Sequence, residues 1–248
     1  MKKYFNVYLE FDPDEVDRTI HQAIIDERTG YVCSVERNVM ATANNSNEFQ
    51  KVVNNALINI CDGNFVARCI SIAHCKNYKT YIGADLFLKY VKSGIYKQYF
   101  LGNTSEVLDG LRNNLSRWDD KISEMSFETL PFRRVEDFNY AEIAKKINIS
   151  KPDIIWVSLG APKQEYFMSK LLPFLDKGVL FGFGAIFNFY AGDQGIQRAP
   201  NVYLKLKLEW LYRMMQEPKK NFQRNWSFLQ MAPKLIMEEK KKIRKNDQ

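Results

Sequence analysis

Ile154-Ile155-Trp156-Val157-Ser158 runs directly into Leu159-Gly160-Ala161-Pro162-Lys163-Gln164-Glu165, and this junction decides the fold class. The first stretch is apolar and reads as a buried strand; the residues after the turn read as a helix. A strand that turns through Gly and Pro into a helix makes an anion site. The first backbone N–H groups of the helix lack intrahelical partners and point at whatever sits at the strand's end. Pro162 is expected at the first helical position, where its missing N–H loses nothing. Lys163, Gln164 and Glu165 follow within reach of a ligand. The outline is that of a sugar-nucleotide or phosphate site, and by itself it does not name the ligand.

The same pattern recurs along the chain. Gly30 to Val35 reads as a short strand. Ser46 to Asn55 reads as a helix, with Ser46 as its N-cap and Phe49, Val52 and Val53 on one face. Leu57 to Cys61 is strand-like and meets the turn signal Asp62-Gly63-Asn64. Gly83-Ala84-Asp85 opens a helix through Leu86, Phe87, Tyr90 and Val91. Tyr99-Phe100-Leu101 runs into Gly102-Asn103-Thr104 and a helix carrying Val107, Leu108 and Leu111. Tyr140 to Ile147 is helical, and Val179 to Phe183 is a strand ending at Gly184. Tyr4 to Leu9 alternates and reads as one further strand. Strands alternating with helices predict an α/β fold: a Rossmann-like, mainly parallel sheet with helices on both faces. Ligands of such sheets bind beyond the carboxyl ends of the strands. Asp62, Gly102, Asn103, Gly160 to Gln164 and Gly184 all follow strands, so they can converge on one crevice.

The 248 residues suffice for one large α/β domain with an appendage, and 46% apolar residues supply a sizeable core. No apolar run approaches the ~18–20 residues of a membrane span. The start, Met1 to Phe5, resembles a signal peptide, but the acidic run Asp12-Pro13-Asp14-Glu15 interrupts it. A cytosolic protein is expected. Cys33, Cys61, Cys69 and Cys75 have no CxxC spacing and only two histidines beside them, which argues against a disulfide framework or a zinc site. Asp12-Pro13-Asp14 matches a DxD metal pattern. It lies outside any strand–turn–helix context and reads better as a surface turn. No metal site and no cofactor are expected, and His21 and His74 read as structural or exposed.

From Val202 the texture changes. Tyr203 to Gln216 reads as a helix that Pro218 ends or kinks. Beyond it Phe222, Trp226, Phe228, Leu229, Leu235, Ile236 and Met237 interleave with basic residues. From Pro218 on, nine Lys or Arg face three acids, so six of the chain's seven net positive charges lie there. The partner of that tail is expected to be anionic. It fits a membrane-surface segment in which Trp226, Phe228 and Leu229 insert shallowly. The other readings are a helix packed on its own domain or a partner, and nucleic-acid binding. The body carries no nucleic-acid motif, so the last ranks lowest.

These motifs together resemble a known family, the WecG/TagA/CpsF bacterial glycosyltransferases (glycosyltransferase family 26). The resemblance runs from about Gly30 to Phe228. It is carried by Asn55-Ala56-Leu57 leading to Asp62-Gly63, Gly83 to Phe87, Phe100-Leu101-Gly102, Pro131-Phe132-Arg133, Gly160 to Glu165, and Gly182-Phe183-Gly184. It continues with Phe187 to Gly192, Arg198-Ala199-Pro200, and Leu208 to Arg213 through Gln216-Glu217-Pro218. Their number, order and spacing make the match specific. It implies an inverting, metal-independent transferase. The sugar, N-acetylmannosamine-type or another hexose, would pass from a UDP-sugar to a polyprenyl-diphosphate-linked saccharide at the cytoplasmic face of the membrane, in cell-surface polysaccharide synthesis. The organisation implied is a glycosyltransferase domain over 1–201 and a membrane-associating appendage over 202–248. A homo-oligomer is compatible with the sequence.

Within that frame Asp62 is the candidate general base, taking the proton of the acceptor hydroxyl as its oxygen attacks the anomeric carbon. The alternative for Asp62 is an Asp-Gly turn whose carboxylate binds nearby backbone N–H groups. Gln164 would bond the donor's sugar or phosphate and Lys163 would offset diphosphate charge; a solvated first-turn pair is the other reading. Asp85 is either a ligand to hydroxyls or an acid complementing the helix dipole. Gly102 and Asn103 would approach the uridine or its phosphates, or simply form a βα turn. Gly160, Pro162 and Gly184 would line the site. Arg198, Arg213 and Arg224 are candidates for gripping diphosphate, since the guanidinium fork suits phosphate oxygens; solvated surface arginines are the alternative.

The sequence also departs from the family. Where its members usually carry Thr-x-Asn, this chain has Ser34 and Glu36. Serine keeps the hydroxyl, whereas Glu36 adds a negative charge beside a diphosphate site. Asn188 replaces an aspartate, and Asp193 to Gln197 is slightly longer than the usual link. These departures leave a second hypothesis standing, a non-catalytic nucleotide-sugar-binding or scaffold protein.

Overall fold

The computed structural model describes residues 1–192 and 218–246, with side chains up to 192 and from 226 to 245. In chain order the elements are β1 (Lys2–Tyr4), β2 (Val7–Leu9), α1 (Pro13–Ile25), β3 (Thr29–Val35), α2 (Arg37–Asn45), α3 (Asn47–Asn54), β4 (Ile58–Cys61) and α4 (Asn64–His74). They continue with α5 (Gly83–Ser93), β5 (Gln98–Gly102), α6 (Ser105–Leu115), β6 (Ser126–Glu128), α7 (Tyr140–Ser150), β7 (Ile154–Ser158), α8 (Lys163–Leu171), β8 (Gly178–Gly182), α9 (Gly184–Tyr190) and α10 (Pro218–Asn246).

Six strands form one sheet in the order β4-β3-β8-β7-β5-β6, and every pair in it is parallel. The period of two sends neighbours to opposite faces. Ile155, Val157, Leu180 and Tyr31 join one core with α2, α3, α4, α7, α8 and α10. Trp156, Phe181, Val179 and Val32 join the other with α1, α5, α6 and α9. Both faces are therefore covered, as the continuous apolar runs of β7 and β8 require. The Rossmann-like α/β class stands.

Local details differ from the sequence reading in two places. Tyr4 to Leu9 is not one strand but the antiparallel hairpin β1–β2. Phe5 and Asn6 take φ of +47° and +68° between the strands, the two-residue arrangement that matches strand twist. The Asp12-Pro13-Asp14 stretch begins α1: the Asp12 carboxylate accepts from the Asp14 N–H at 3.0 Å, and Pro13 is the first helical residue. Pro218 is the first residue of α10, where a proline is tolerated. The expected helix from Tyr203 to Gln216 lies outside the described residues.

The last helix is not an insertion-ready tail on its inner side. Phe228, Ala232 and Leu235 are buried in the same core as α2 and α4. Phe228 thus belongs to the body, which corrects its expected membrane role. Trp226, Leu229 and Met237 remain exposed. None of the described helices is long and apolar enough to cross a membrane. All four cysteine thiols are unpaired.

Candidate active site

The polar residues singled out from sequence gather at the carboxyl ends of the strands. Register explains the first pair. Ser34 lies opposite Ile60 and Val35 opposite Cys61, so the turn after β4 folds against the end of β3. The Asp62 N–H reaches the Val35 carbonyl at 3.2 Å. The Ser34 hydroxyl donates to Asp62 Oδ2 at 2.6 Å, which orients the carboxylate by one of its oxygens. The first residue of α5 closes on the same oxygen. A Cβ added to Gly83 would stand 3.1 Å from Asp62 Oδ2 and 3.6 Å from the Phe183 ring. The carboxylate therefore meets the positive end of the α5 dipole, which offsets part of its charge. In the sequence Gly83 stands out only as part of a motif, because its closeness to Asp62 depends on a loop path that the sequence does not show.

Glu36 sits beside this pair without crowding it. Its side chain caps α2 by accepting from the Val39 N–H at 3.2 Å. The added charge relative to asparagine is directed at a helix N-terminus, where it is favourable. Asp85 is exposed in the first turn of α5.

The centre of the crevice is built from neutral groups. Asn103, at φ +67°, donates from Nδ2 to Ser158 Oγ at 3.1 Å and to Asn188 Oδ1 at 3.3 Å. Ser158 Oγ in turn donates to the Gly184 carbonyl at 2.8 Å. Gly102 is buried, with φ +101°, and a Cβ there would lie 2.7 Å from the Ser158 carbonyl oxygen. It serves the close approach of β5 and β7.

The Gly160 turn holds the largest departure from expectation. Pro162 occupies the cap position and Lys163 is the first residue of α8. The Ala161–Pro162 peptide is cis. Gln164 is 5% exposed. Its Oε1 accepts from the Gly160 N–H at 3.1 Å and the Gly184 N–H at 3.0 Å. Its Nε2 donates to the Gly182 carbonyl at 2.7 Å and Glu165 Oε1 at 3.0 Å. An amide side chain has two acceptor lone pairs and two donors, so Gln164 is saturated by the protein. It is a clamp joining the ends of β7 and β8, and it takes up the Gly160 and Gly184 N–H groups that would otherwise face the crevice. Lys163 also turns elsewhere: its Nζ lies 5.1 Å from the centre of the Phe132 ring and 5.4 Å from that of Phe138. Arg198 and Arg213 lie outside the described residues, as does the side chain of Arg224.

Sequence reasoning left Glu165 without a task. It is wholly buried, and its Oε2 has no hydrogen-bond partner among the described residues. Burial pushes its carboxyl up to about 7, the Gln164 amide and its own N–H pull it down, and the Glu36 charge pushes it up. The fold thus favours the neutral acid. Stability from this group is complete below the ordinary value of 4.5 and is lost as pH rises through about 7. Glu165→Gln is expected to gain about 3 kcal/mol on the wild type at about pH 8. Urea unfolding across pH checks this: the difference between the two proteins should cease to change with pH below about 4.5. A pH-independent difference would refute it.

The architecture defines a doubly wound α/β protein with one oriented carboxylate at the strand ends and neutral hydrogen-bonding groups beside it. The chain belongs to the glycosyl transferase WecG/TagA/CpsF family, whose model matches residues 5–246. A relative from Bacillus subtilis (strain 168) is 28% identical over 222 residues, 88% of this chain and 84% of the relative. One from Bacillus spizizenii is 34% identical over 95 residues, 38% of this chain and 34% of the relative. One from Staphylococcus aureus (strain MW2) is 29% identical over 136 residues, 55% and 51% of the two chains. The match thus spans about a third to a half of the latter two relatives. All three carry the name N-acetylglucosaminyldiphosphoundecaprenol N-acetyl-beta-D-mannosaminyltransferase.

Proposed function

We propose that this protein transfers a sugar, N-acetylmannosamine-type or another hexose, from a UDP-sugar to a polyprenyl-diphosphate-linked saccharide. The observation that carries the reading is the Asp62 carboxylate held by Ser34 at the strand ends. The names of the relatives supply the acceptor chemistry. In the step proposed, Asp62 takes the acceptor hydroxyl proton, that oxygen bonds to the anomeric carbon, and the bond to the diphosphate breaks with UDP leaving. A single displacement of this kind inverts the anomeric centre. Arg198, Arg213 and Arg224 meet the diphosphate charge in place of a metal ion. The Asn103–Ser158–Asn188 network offers neutral hydrogen bonds to the donor.

The acceptor is lipid-linked, so the protein works at the inner membrane surface. The exposed Trp226, Leu229 and Met237 share the outward side of α10 with Lys234, Lys241 and Arg244. Basic side chains beside apolar ones suit an anionic lipid surface.

The test is incubation of the full chain with a panel of UDP-sugars and polyprenyl-diphosphate-linked N-acetylglucosamine in vesicles, without added metal and with chelator. UDP release with a longer saccharide of inverted linkage is expected, faster on vesicles containing anionic lipid than on neutral ones. Binding of UDP-sugars without turnover across the panel would instead establish a scaffold.

A further inference from the structure

α10 is docked on the two helices that begin at the site. It packs against α2, whose cap is Glu36, and against α4, which starts directly after Asp62-Gly63. Two contacts fix its direction. At one end the wholly buried Phe228 meets Phe65 edge-on, with ring centres 5.9 Å apart. At the other, Glu239 is 5% exposed, lies 3.3 Å from His74 Nε2 and 3.5 Å from Lys242 Nζ. Lys242 also donates to Asn6 Oδ1 at 2.9 Å. From Phe228 to Glu239 a helix rises about 16 Å, and from Phe65 to His74 about 14 Å. The two helices therefore run side by side in the same direction, pinned near both ends.

The pin near Asp62 adds to what holds the first turn of α4, where Val66 is wholly buried and Asn64 Oδ1 accepts from Thr80 Oγ1 at 3.3 Å. The N-cap of α4 is Gly63, which makes no side-chain cap hydrogen bond, whereas α2 is capped by Glu36 and α3 by Ser46. A glycine cap leaves the entry to the helix backbone-flexible. A Cβ on Gly63 would stand 3.4 Å from Glu36 Cα, so the starts of α2 and α4 touch. Phe65 is the second residue of α4, three after Asp62.

We infer that Phe228 is a positioning residue for Asp62: seated on Phe65, it fixes the first turn of α4 and with it the angle of the carboxylate. The inference rests on Asp62 being the base. Glu239, held by His74 and Lys242, keeps the register of the two helices. The outward face of α10 is thereby joined rigidly to the reacting group, and the geometry of the base depends on where that helix lies.

The experiment uses the full chain with Phe228→Ala, Phe228→Leu and Phe65→Leu, each alone and with Asp62→Asn. Hydrogen exchange should quicken about tenfold at the amides of Ala67 to Cys69, the first that bond back onto the turn, as the Ala67 N–H does to the Gly63 carbonyl at 3.0 Å, in Phe228→Ala. The kcat should fall about tenfold or more, as slight misplacement of a catalytic group does, while UDP affinity stays constant. Phe228→Leu, which still fills the seat, should recover most of kcat. In the Asp62→Asn background Phe228→Ala should cost nothing further, because the group being positioned is gone. Unchanged exchange at Ala67 to Cys69 overturns the inference, as does a kcat loss that adds fully to that of Asp62→Asn. If Asp62→Asn itself turns over normally, it is the base assignment that fails. The exchange result alone then decides whether Phe228 holds the turn.

Discussion

Asp62→Asn is expected to lower kcat by about 10²- to 10⁴-fold, the range a positioned general base contributes, and to leave UDP-sugar affinity unchanged. The asparagine keeps an oxygen that accepts from the Ser34 hydroxyl, now 2.6 Å from Asp62 Oδ2. The Asp62 N–H bond to the Val35 carbonyl does not involve the side chain. Fold and turn are thus preserved while the proton acceptor is lost. Steady-state kinetics on a lipid-linked acceptor, with UDP binding by calorimetry, separates the two effects. Normal turnover would remove Asp62 from the mechanism. A parallel loss of binding would show that the carboxylate holds the donor.

Gln164→Ala is expected to act on the fold first. It strips partners from the N–H groups of Gly160 and Gly184 and from the Gly182 carbonyl. It also leaves Glu165 without its amide donor. Each buried polar group left unpaired costs about 1–3 kcal/mol, and some is regained from entering water. A net loss of about 3–5 kcal/mol is expected, or on the order of 10 °C in melting temperature for a chain this long. Calorimetry on the variant checks it. Were Gln164 instead a ligand to the donor, the melting temperature would hold and UDP affinity alone would fall. Gly184 reinforces the point. A Cβ there would lie 2.7 Å from Gln164 Oε1 and from the Gly160 backbone nitrogen, so the clamp is closed by backbone on both sides.

The sheet was readable because its strands are buried on both faces. Ile154 to Val157 and Val179 to Phe181 stand out as apolar runs. Two helices beside the site were not. α2 carries Asn38, Thr42, Asn44 and Asn45, poor helix formers that look like loop. α4 begins on a glycine that supplies no capping oxygen. The hairpin escaped because Phe5 occupies a left-handed position that usually signals itself by Asn or Gly.

The site was legible as a set of residue types and less so as directions. Asp62 and Ser34 meet because of the β3–β4 register, which family resemblance brought together and spacing alone does not. Gln164 and Glu165, polar and early in a helix, read as within reach of a ligand, yet both are buried because α8 packs that turn beneath the ends of β7 and β8. His74, unpartnered in the sequence reading, finds Glu239 far along the chain. The inward face of α10 was written in the spacing of Phe228, Ala232, Leu235 and Glu239, four residues that a 3.6-residue period aligns. Its basic neighbours obscured that signal.

The pairing of Phe65 with Phe228 also sets an order of events in the making of the protein. Roughly 160 residues separate them, and at about 5–20 residues per second a ribosome needs on the order of 10 to 30 s to cover that distance. By the end of that interval the strands up to β8 have been made, while the apolar strip of α2 and α4 still lacks Phe228, Ala232 and Leu235. The helix that follows Asp62 gains its Phe65–Phe228 contact only when the last helix emerges. A nascent chain halted short of α10 would leave bare the apolar strip of α2 and α4 that Phe228, Ala232 and Leu235 cover, right beside the Asp62 turn.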